Sequence, residues 1–600
     1  MDRNQFLGLI LMLSLITIYF WFFAPEVPEP QTIDNQPVAV DSVSVPNQPV
    51  AQAEQLSDSA KSKLNELKYG LFSDAADGVP QSLVQKAGDL SVTFSSQGGR
   101  IINVELTGYK TYDEQPLNLF NENHSLNIYF DHLSRQINLA DLFFEPSVKK
   151  MGDSTQVIYT LDVNGSQVQQ IYTLYSSGYQ IGYQLKSNGF DKQIDAKDLN
   201  FFWGAKLAKV ERELKDARNR TTVRYYALNG DADDLGVASQ DHEEEQIGQP
   251  VKWLAFGQKF FTSAIIADNS FANAFITQDV PMDEDVVKAG TIQASIPYTD
   301  LASNTVGFTF YFGPNDYNVL KNVTDGFSDN VNLGWLFLPF INKYLIIPIF
   351  NFLEMFIGNY GLIIVIMVII IRILISPLTY KSHISMAKMR VLKPELDAIK
   401  ERVGDDMQKV QTAQMDLYRK AGINPLSGCI PVLLQFPILV SLFYFIPSAI
   451  ELRLIPFLWA EDMSSYDSIL NLPFTIPFYG SHVSLFTLLM AGSTVLYTMA
   501  NSQVTSVQGP MKTMQYIMPV MLLFFFNSYP SGLSFYYFIS NLVSYGQMVM
   551  FRKFIDEGKI LKLMEENKKK NANKKKSKFQ QRLEDAMKAN QEAQKKGKKK

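Results

Sequence analysis

Residues 361–380, GLIIVIMVIIIRILISPLTY, cover about 30 Å as a helix, enough to cross the hydrocarbon core of a bilayer, and a single charge, Arg372, interrupts them. A charge inside such a run constrains everything packed around it, because arginine must either snorkel to the headgroups or face protein or water. Helical rise puts Arg372 roughly 17 Å from the first residue of the run and about 12 Å from the last. Arg372, Ser376, Thr379 and His383 recur at i, i+4, i+7 and i+11, so they share one stripe while Ile and Val cover the rest of the helix. The spacing predicts a polar face leading out of the membrane, and a wet groove is favoured over snorkelling. Pro377 is expected to end the helix.

The 600 residues exceed a single domain, and a net charge of -5 conceals segregation: alternating sequence to about residue 335, apolar runs from 336 to 551, then a lysine-rich tail. One cysteine, Cys429, allows no internal disulfide, and five scattered histidines give no metal-ligand spacing, so neither a metal nor another cofactor is expected. Residues 6–23 follow Arg3 and lead into Pro25 without a small-residue cleavage site, which predicts an uncleaved signal anchor (1–23) with the following segment outside. Residues 24–60, rich in Pro, Gln and Ser, read as a flexible linker.

Period-two alternation within 61–334 predicts strands at Ser91–Phe94, Ile101–Leu106, Gln156–Val163, Gln169–Tyr175, Tyr179–Leu185, Phe256–Ile266, Thr291–Ile296 and Val306–Phe312. Many strands with little helical periodicity imply an all-β antiparallel sandwich. The acidic cluster Asp241–Glu245 lacks a second histidine at metal spacing and reads as a solvated loop.

Residues 335–357 carry Pro339, Lys343, Pro348 and Glu354 among apolar side chains, which suits an interfacial amphipathic helix anchored by Trp335 and Tyr344. In 358–551 the run around Arg372 and four more apolar segments (428–449, 483–501, 513–528 and 532–551) make, with the anchor, six transmembrane helices. Residues 382–420 form a basic amphipathic helical hairpin, with Met386, Met389, Leu396, Ile399 and Val403 on one stripe, and the 451–482 loop is acidic. The hairpin is therefore cytoplasmic and the loop external. The tail, 552–600, holds eighteen Lys and Arg against seven Asp and Glu, leaving both termini inside.

Gln435 lies within one span, and Tyr537, Asn541 and Ser544 recur at i, i+4 and i+7 in the last. Each serves as interhelical glue or, with Arg372, as part of one wet face. Met511, Met514, Met518 and Met521 form a stripe that is lipid-facing, part of the core, or able to receive varied apolar ligands.

From the anchor to the tail the sequence resembles the YidC family of membrane protein insertases, of the Gram-negative type with a large periplasmic domain. The stretches that carry the resemblance are Trp335 to Arg372, Ser376-Pro377-Leu378-Thr379, Met386-Ala387-Lys388-Met389-Arg390, Asn424-Pro425-Leu426-Ser427-Gly428-Cys429, Gln435-Phe436-Pro437 and Phe535-Tyr536-Tyr537-Phe538-Ile539-Ser540-Asn541, in this order. The resemblance implies a non-enzymatic insertase and chaperone of the inner membrane. Its groove would hold Arg372 as the positive charge, with Ser376, Thr379, Gln435, Tyr537, Ser540 and Asn541 near it and Phe436 and Leu439 where a client helix slides. It also implies a cytoplasmic hairpin bearing Met386, Lys388, Met389 and Arg390, and as partners nascent membrane proteins, the ribosome, a Sec translocon and the lipid bilayer. Two departures stand out: Val368 replaces a polar residue found in some relatives one turn before the arginine, and the 471–482 segment is longer than in many members. A transporter using Arg372 for an anionic solute is disfavoured by the lack of repeated halves. A carbohydrate-binding β domain on a plain anchor leaves Arg372 and the hairpin without a use, and an intramembrane protease lacks a Ser and His pair in the spans.

Overall fold

The structure is a computed structural model that describes residues 58–189, 194–195, 198–297, 306–404, 407–423, 430–502 and 510–571. The expected anchor, most of the linker, Cys429 and the end of the tail lie outside the described residues, as do the side chains of Met511 and Met514. The chain divides into two units, one β-rich (Glu26–Leu333 with Pro447–Leu454) and one helical.

The β unit is built from antiparallel sheets of nine, six and four strands. The nine-stranded sheet runs from edge strand Ala232–Asp234 to edge strand Glu145–Met151, and the six-stranded sheet from Glu243–Ile247 to Arg135–Asn138. The two sheets pack face to face because their strands alternate. Along Leu199–Ala208 every second residue is buried, and Trp203 of that strand meets Phe256 at 5.1 Å, Phe312 at 6.0 Å and Phe310 at 6.3 Å across the core.

Two local expectations are corrected here. Residues 256–266 are two strands, Val251–Gly257 and Phe261–Phe271, joined by a tight reversal in which the Gln258 amide donates to the Phe261 carbonyl at 2.8 Å. Both strands are buried on both faces, so no polar alternation marks the turn. The acidic cluster is likewise no loop: Glu243–Ile247 pairs with Ala274–Asp279 as a sheet edge. The Tyr225 hydroxyl donates to Glu245 at 2.8 Å and the Gln278 amide to Glu243 at 3.1 Å. Carboxylates on an edge strand discourage pairing with another chain.

The segment Pro447–Leu454 belongs to the β unit. There Arg453, 4% exposed at its side chain, donates through Nε to Glu211 (8% exposed) at 2.7 Å, and Nη2 reaches the Val210 carbonyl at 3.2 Å.

The helical unit contains α1 (Ile347–Glu354), α2 (Tyr360–Val391), α3 (Lys393–Val403), α4 (Met407–Ala421), α5 (Ile430–Ser448), α6 (Leu485–Ser502), α7 (Pro510–Phe526), α8 (Ser531–Phe554) and α9 (Glu557–Asn571). Among the described residues α2 is the one helix long and apolar enough by itself to cross a membrane, with shorter apolar stretches at 435–448, 485–501 and 517–526. Residues 338–354 are continuous helix with a π turn at Asn342–Ile346, just before Pro348, where the absent amide interrupts a regular ladder. Trp335, Phe340, Tyr344, Phe352 and Phe356 stand exposed along this element.

Pro377 does not end its helix: α2 continues 14 residues further to Val391. Donors from side chains serve carbonyls near the break, since the Thr379 hydroxyl donates to the Ile375 carbonyl at 3.0 Å and the Gln547 amide to the Arg372 carbonyl at 3.2 Å.

The tail begins as a helix. Residues 557–571 are helix α9, and Met564, 1% exposed, completes an apolar core with Leu392, Leu396, Ile399, Leu417 and Ala421 of the α2–α4 region. Arg390 pairs with Glu557 at 2.7 Å and Lys568 pairs with Glu395.

Candidate functional site

Arg372 sits 12 residues into α2, about 18 Å along the helix from its first residue, and is 7% exposed. Val368 and Ile371, on the turn before it, are buried, whereas Ile373 and Leu374 just after it are exposed on another face of the helix. Its guanidinium is a rigid fork of donors, and the neighbouring helices present acceptors at both prongs. Nη1 donates to Gln435 Oε1 of α5 at 2.9 Å; Nη2 donates to the Ser540 hydroxyl of α8 at 2.5 Å and to the Ser540 carbonyl at 3.2 Å. The Ser544 hydroxyl donates to the same Ser540 carbonyl at 2.6 Å.

All three acceptors are neutral. Among the described residues, dipoles and not an acid hold the guanidinium in place, so its charge is solvated by the protein without being neutralised. Tyr497, Tyr536 and Tyr537 lie within electrostatic reach of it.

The sequence-derived candidates do not all converge. Arg372, Gln435 and Ser540 meet. Asn541, next on α8, turns to α6, where its amide donates to the hydroxyls of Ser493 at 3.0 Å and Thr494 at 2.8 Å. Tyr537 is half-buried with its ring 6.0 Å from Phe526, Thr379 bonds within its own helix, and Ser376 is half-buried. Beside Gln435 on α5, Phe436 is exposed and Leu439 half-buried. Met386 is buried, while Lys388, Met389 and Arg390 are half-buried at the start of the hairpin. Ser493, Thr494, Tyr497, Tyr536 and Gln547 escaped the sequence reading. The signal was present for the first three, which occupy i, i+1 and i+4 of an otherwise apolar segment.

At the N-terminal end of α2 hydrogen bonds tie the neighbouring segments together. Asp467 accepts from the α6 amides of Leu485 at 2.9 Å and Phe486 at 3.0 Å and from the Trp459 indole at 2.8 Å. Asn527, fully buried, donates to the Tyr479 and His482 carbonyls and accepts from the Ser484 amide at 3.0 Å. Phe457 lies against Gly361 at the top of α2, where a Cβ would fall 2.1 Å from its ring. Asp467 is thus capped by helix amides, whereas among the described residues Arg372 is held by neutral acceptors.

The 60Kd inner membrane protein family model matches residues 352–558, which include the whole Arg372 cluster, and the YidC periplasmic domain model matches residues 85–348. The membrane protein insertase YidC of Amoebophilus asiaticus is 43% identical over 611 residues, covering 100% of both chains. The proteins of that name from Cytophaga hutchinsonii and Parabacteroides distasonis are 40% and 36% identical, each over 99% of this chain and 98% of their own. With its β unit as the periplasmic domain and its helical unit as the membrane core, this chain belongs to the YidC family.

Proposed function

We propose that this inner-membrane protein inserts client proteins by drawing a short polar tail to Arg372 from the cytoplasmic side while the client's apolar helix passes into lipid beside Phe436 and Leu439. Membrane protein insertion is the family's activity, and it is not enzymatic. Burial of about twenty apolar residues releases tens of kcal/mol at roughly 25 cal/mol per Å², so the protein has only to lower the barrier for the polar tail. One observation carries this reading: Arg372 is buried in an apolar helix yet, among the described residues, is bonded to neutral groups alone, a charge kept for a partner that is absent at rest. The laced outer end supports a groove that opens inward.

In this reading α2, α5, α6, α7 and α8 span the membrane together with residues 6–23, the 338–354 rod lies at the outer interface, and both termini are cytoplasmic. The domain boundaries follow: anchor 1–23, linker 24–60, periplasmic domain 61–334, interfacial helix 335–357, core 358–551 with hairpin 382–420, and tail 552–600. The ribosome is the partner for the basic cytoplasmic surfaces, and a Sec translocon shares the work for larger clients.

The test is insertion of a one-span client into proteoliposomes containing only this protein. Arg372→Ala should slow clients with acidic tails and Arg372→Lys should retain most activity. Full activity of the alanine variant would refute the role of the charge, and equal loss in both would assign Arg372 to geometry.

A further inference from the structure

The outer hairpin, strands Leu470–Ile476 and Gly480–Val483, has no role in the mechanism above. From Ser468 to Ser484 it contains no Asp, Glu, Lys or Arg, an unusual composition for a loop outside a membrane. Its tip is Pro477-Phe478. Phe478 is 96% exposed and adopts φ +65°, a left-handed conformation that disfavours bulky side chains and that turns normally give to Gly or Asn. Phe474 and Leu470 are exposed on the same hairpin.

Two observations fix where this apolar tip lies. The base is rigid: the His482 ring stacks on Tyr466 at 3.7 Å and bonds the Asn527 carbonyl at 2.8 Å, and Asn527 also holds Tyr479 and Ser484. The hairpin lies beside the end of α7, since Tyr479, adjacent to Phe478, packs its ring 5.4 Å from that of Phe524. Phe524 and Phe525 end an exposed apolar band that ascends α7 through Ile517, Val520 and Met521, so Phe478 extends a surface whose solvent is lipid.

We infer that the 470–483 hairpin is an outer-leaflet anchor, with Phe478 and Phe474 seated at the boundary between headgroups and acyl chains beside α7. The inference rests on the reading of α6 and α7 as spans. Uncharged aromatic side chains suit that boundary, and a strained, preorganised tip enters it without further ordering.

The experiment uses the full chain with Cys429 replaced by Ser, reconstituted in phosphatidylcholine and phosphatidylglycerol vesicles, with a fluorophore on Ser481→Cys or on Gly492→Cys. Gly492 faces open space halfway along α6. Lipids with a nitroxide high on the acyl chain should quench the Ser481 label, and Phe474→Ser with Phe478→Ser should reduce that quenching at least threefold. Lipids with a deep nitroxide should quench the Gly492 label in both proteins. A quenched Gly492 with an unquenched Ser481 overturns the anchor alone, whereas an unquenched Gly492 overturns the spanning reading and the anchor with it. Quenching at Ser481 that needs an added client assigns the surface to the client and also overturns the anchor.

Discussion

Ser540→Ala isolates the positioning of Arg372 from its charge. The variant removes the acceptor at 2.5 Å from Nη2 and leaves the Ser540 carbonyl at 3.2 Å and Gln435 at 2.9 Å, so the guanidinium keeps two of three bonds and stays in the cluster. A hydrogen bond to a charged group contributes about 1.5–3 kcal/mol, and with two bonds remaining the loss belongs at the low end. In the proposed mechanism a client responds to the position of the charge. At an effective dielectric of about 20, attraction between unit charges is about 4 kcal/mol at 4 Å and about 3.3 kcal/mol at 5 Å, so about 1 Å of slack weakens it by roughly 0.8 kcal/mol. Insertion of a client with one acidic tail residue should therefore slow about three- to tenfold, and a neutral-tail client less than about twofold. Initial rates of protease protection in proteoliposomes measure both. Asn541→Ala is the control: it unbinds Ser493 and Thr494 but no atom of Arg372, so it should affect both clients alike. Equal slowing of acidic and neutral clients by Ser540→Ala, in protein that retains its helical signal, would refute the positioning argument.

In the β unit, burial lowers His124 from 6.5 to about 4, and the Trp203 indole donates to its Nδ1 at 3.3 Å. The stability tied to neutral His124 is fully present above about pH 6.5 and is lost as pH falls through about 4, amounting to roughly 3 kcal/mol, and Tm read by near-ultraviolet circular dichroism should fall over that window and be flatter in His124→Phe. Lys288, 1% exposed, is lowered by burial to about 8, so its charge costs stability below that pH and the cost fades between about 8 and 10.5. Lys288→Met should stabilise the domain by about 1–2 kcal/mol in urea unfolding at pH 7, and a less stable variant contradicts the assignment. Glu211→Ala leaves Arg453 buried without its carboxylate and should cost about 3 kcal/mol, read as faster limited proteolysis. For ribosome binding, truncation after residue 571 removes eleven Lys and Arg against three Asp and Glu while keeping Met564 in the hairpin core. Affinity in co-sedimentation should drop and its salt slope flatten, and an unchanged slope assigns these residues to lipid.

Patterns within a single element were legible in the sequence. The run at 361–380 announced a helix, the alternation at 156–163 and 169–175 announced strands, and i, i+4 spacing placed Tyr537, Asn541 and Ser544 on one face of α8. These follow from the backbone periods of 3.6 and 2 residues, which local sequence carries. Which neighbour each face meets was decided by tertiary structure. Ser540 and Asn541 are adjacent on α8, yet one serves Arg372 and the other serves α6, because helix rotation and crossing depend on packing across the whole unit. Pro377 reads as a stop, yet α2 runs on to Val391 packed against α8, whose Gln547 donates to the Arg372 carbonyl five residues before the proline. The turn at Gln258 vanished within a doubly buried run, and the acidic strand at 243–247 exists only because Ala274–Asp279 offers it an edge. Met564 looks like one apolar residue in a lysine-rich tail, and the core it fills is made of residues that precede it by about 140 positions or more. Contacts made at such separations leave no period in the sequence, since the free energy that selects them belongs to the assembled surfaces and not to either segment alone.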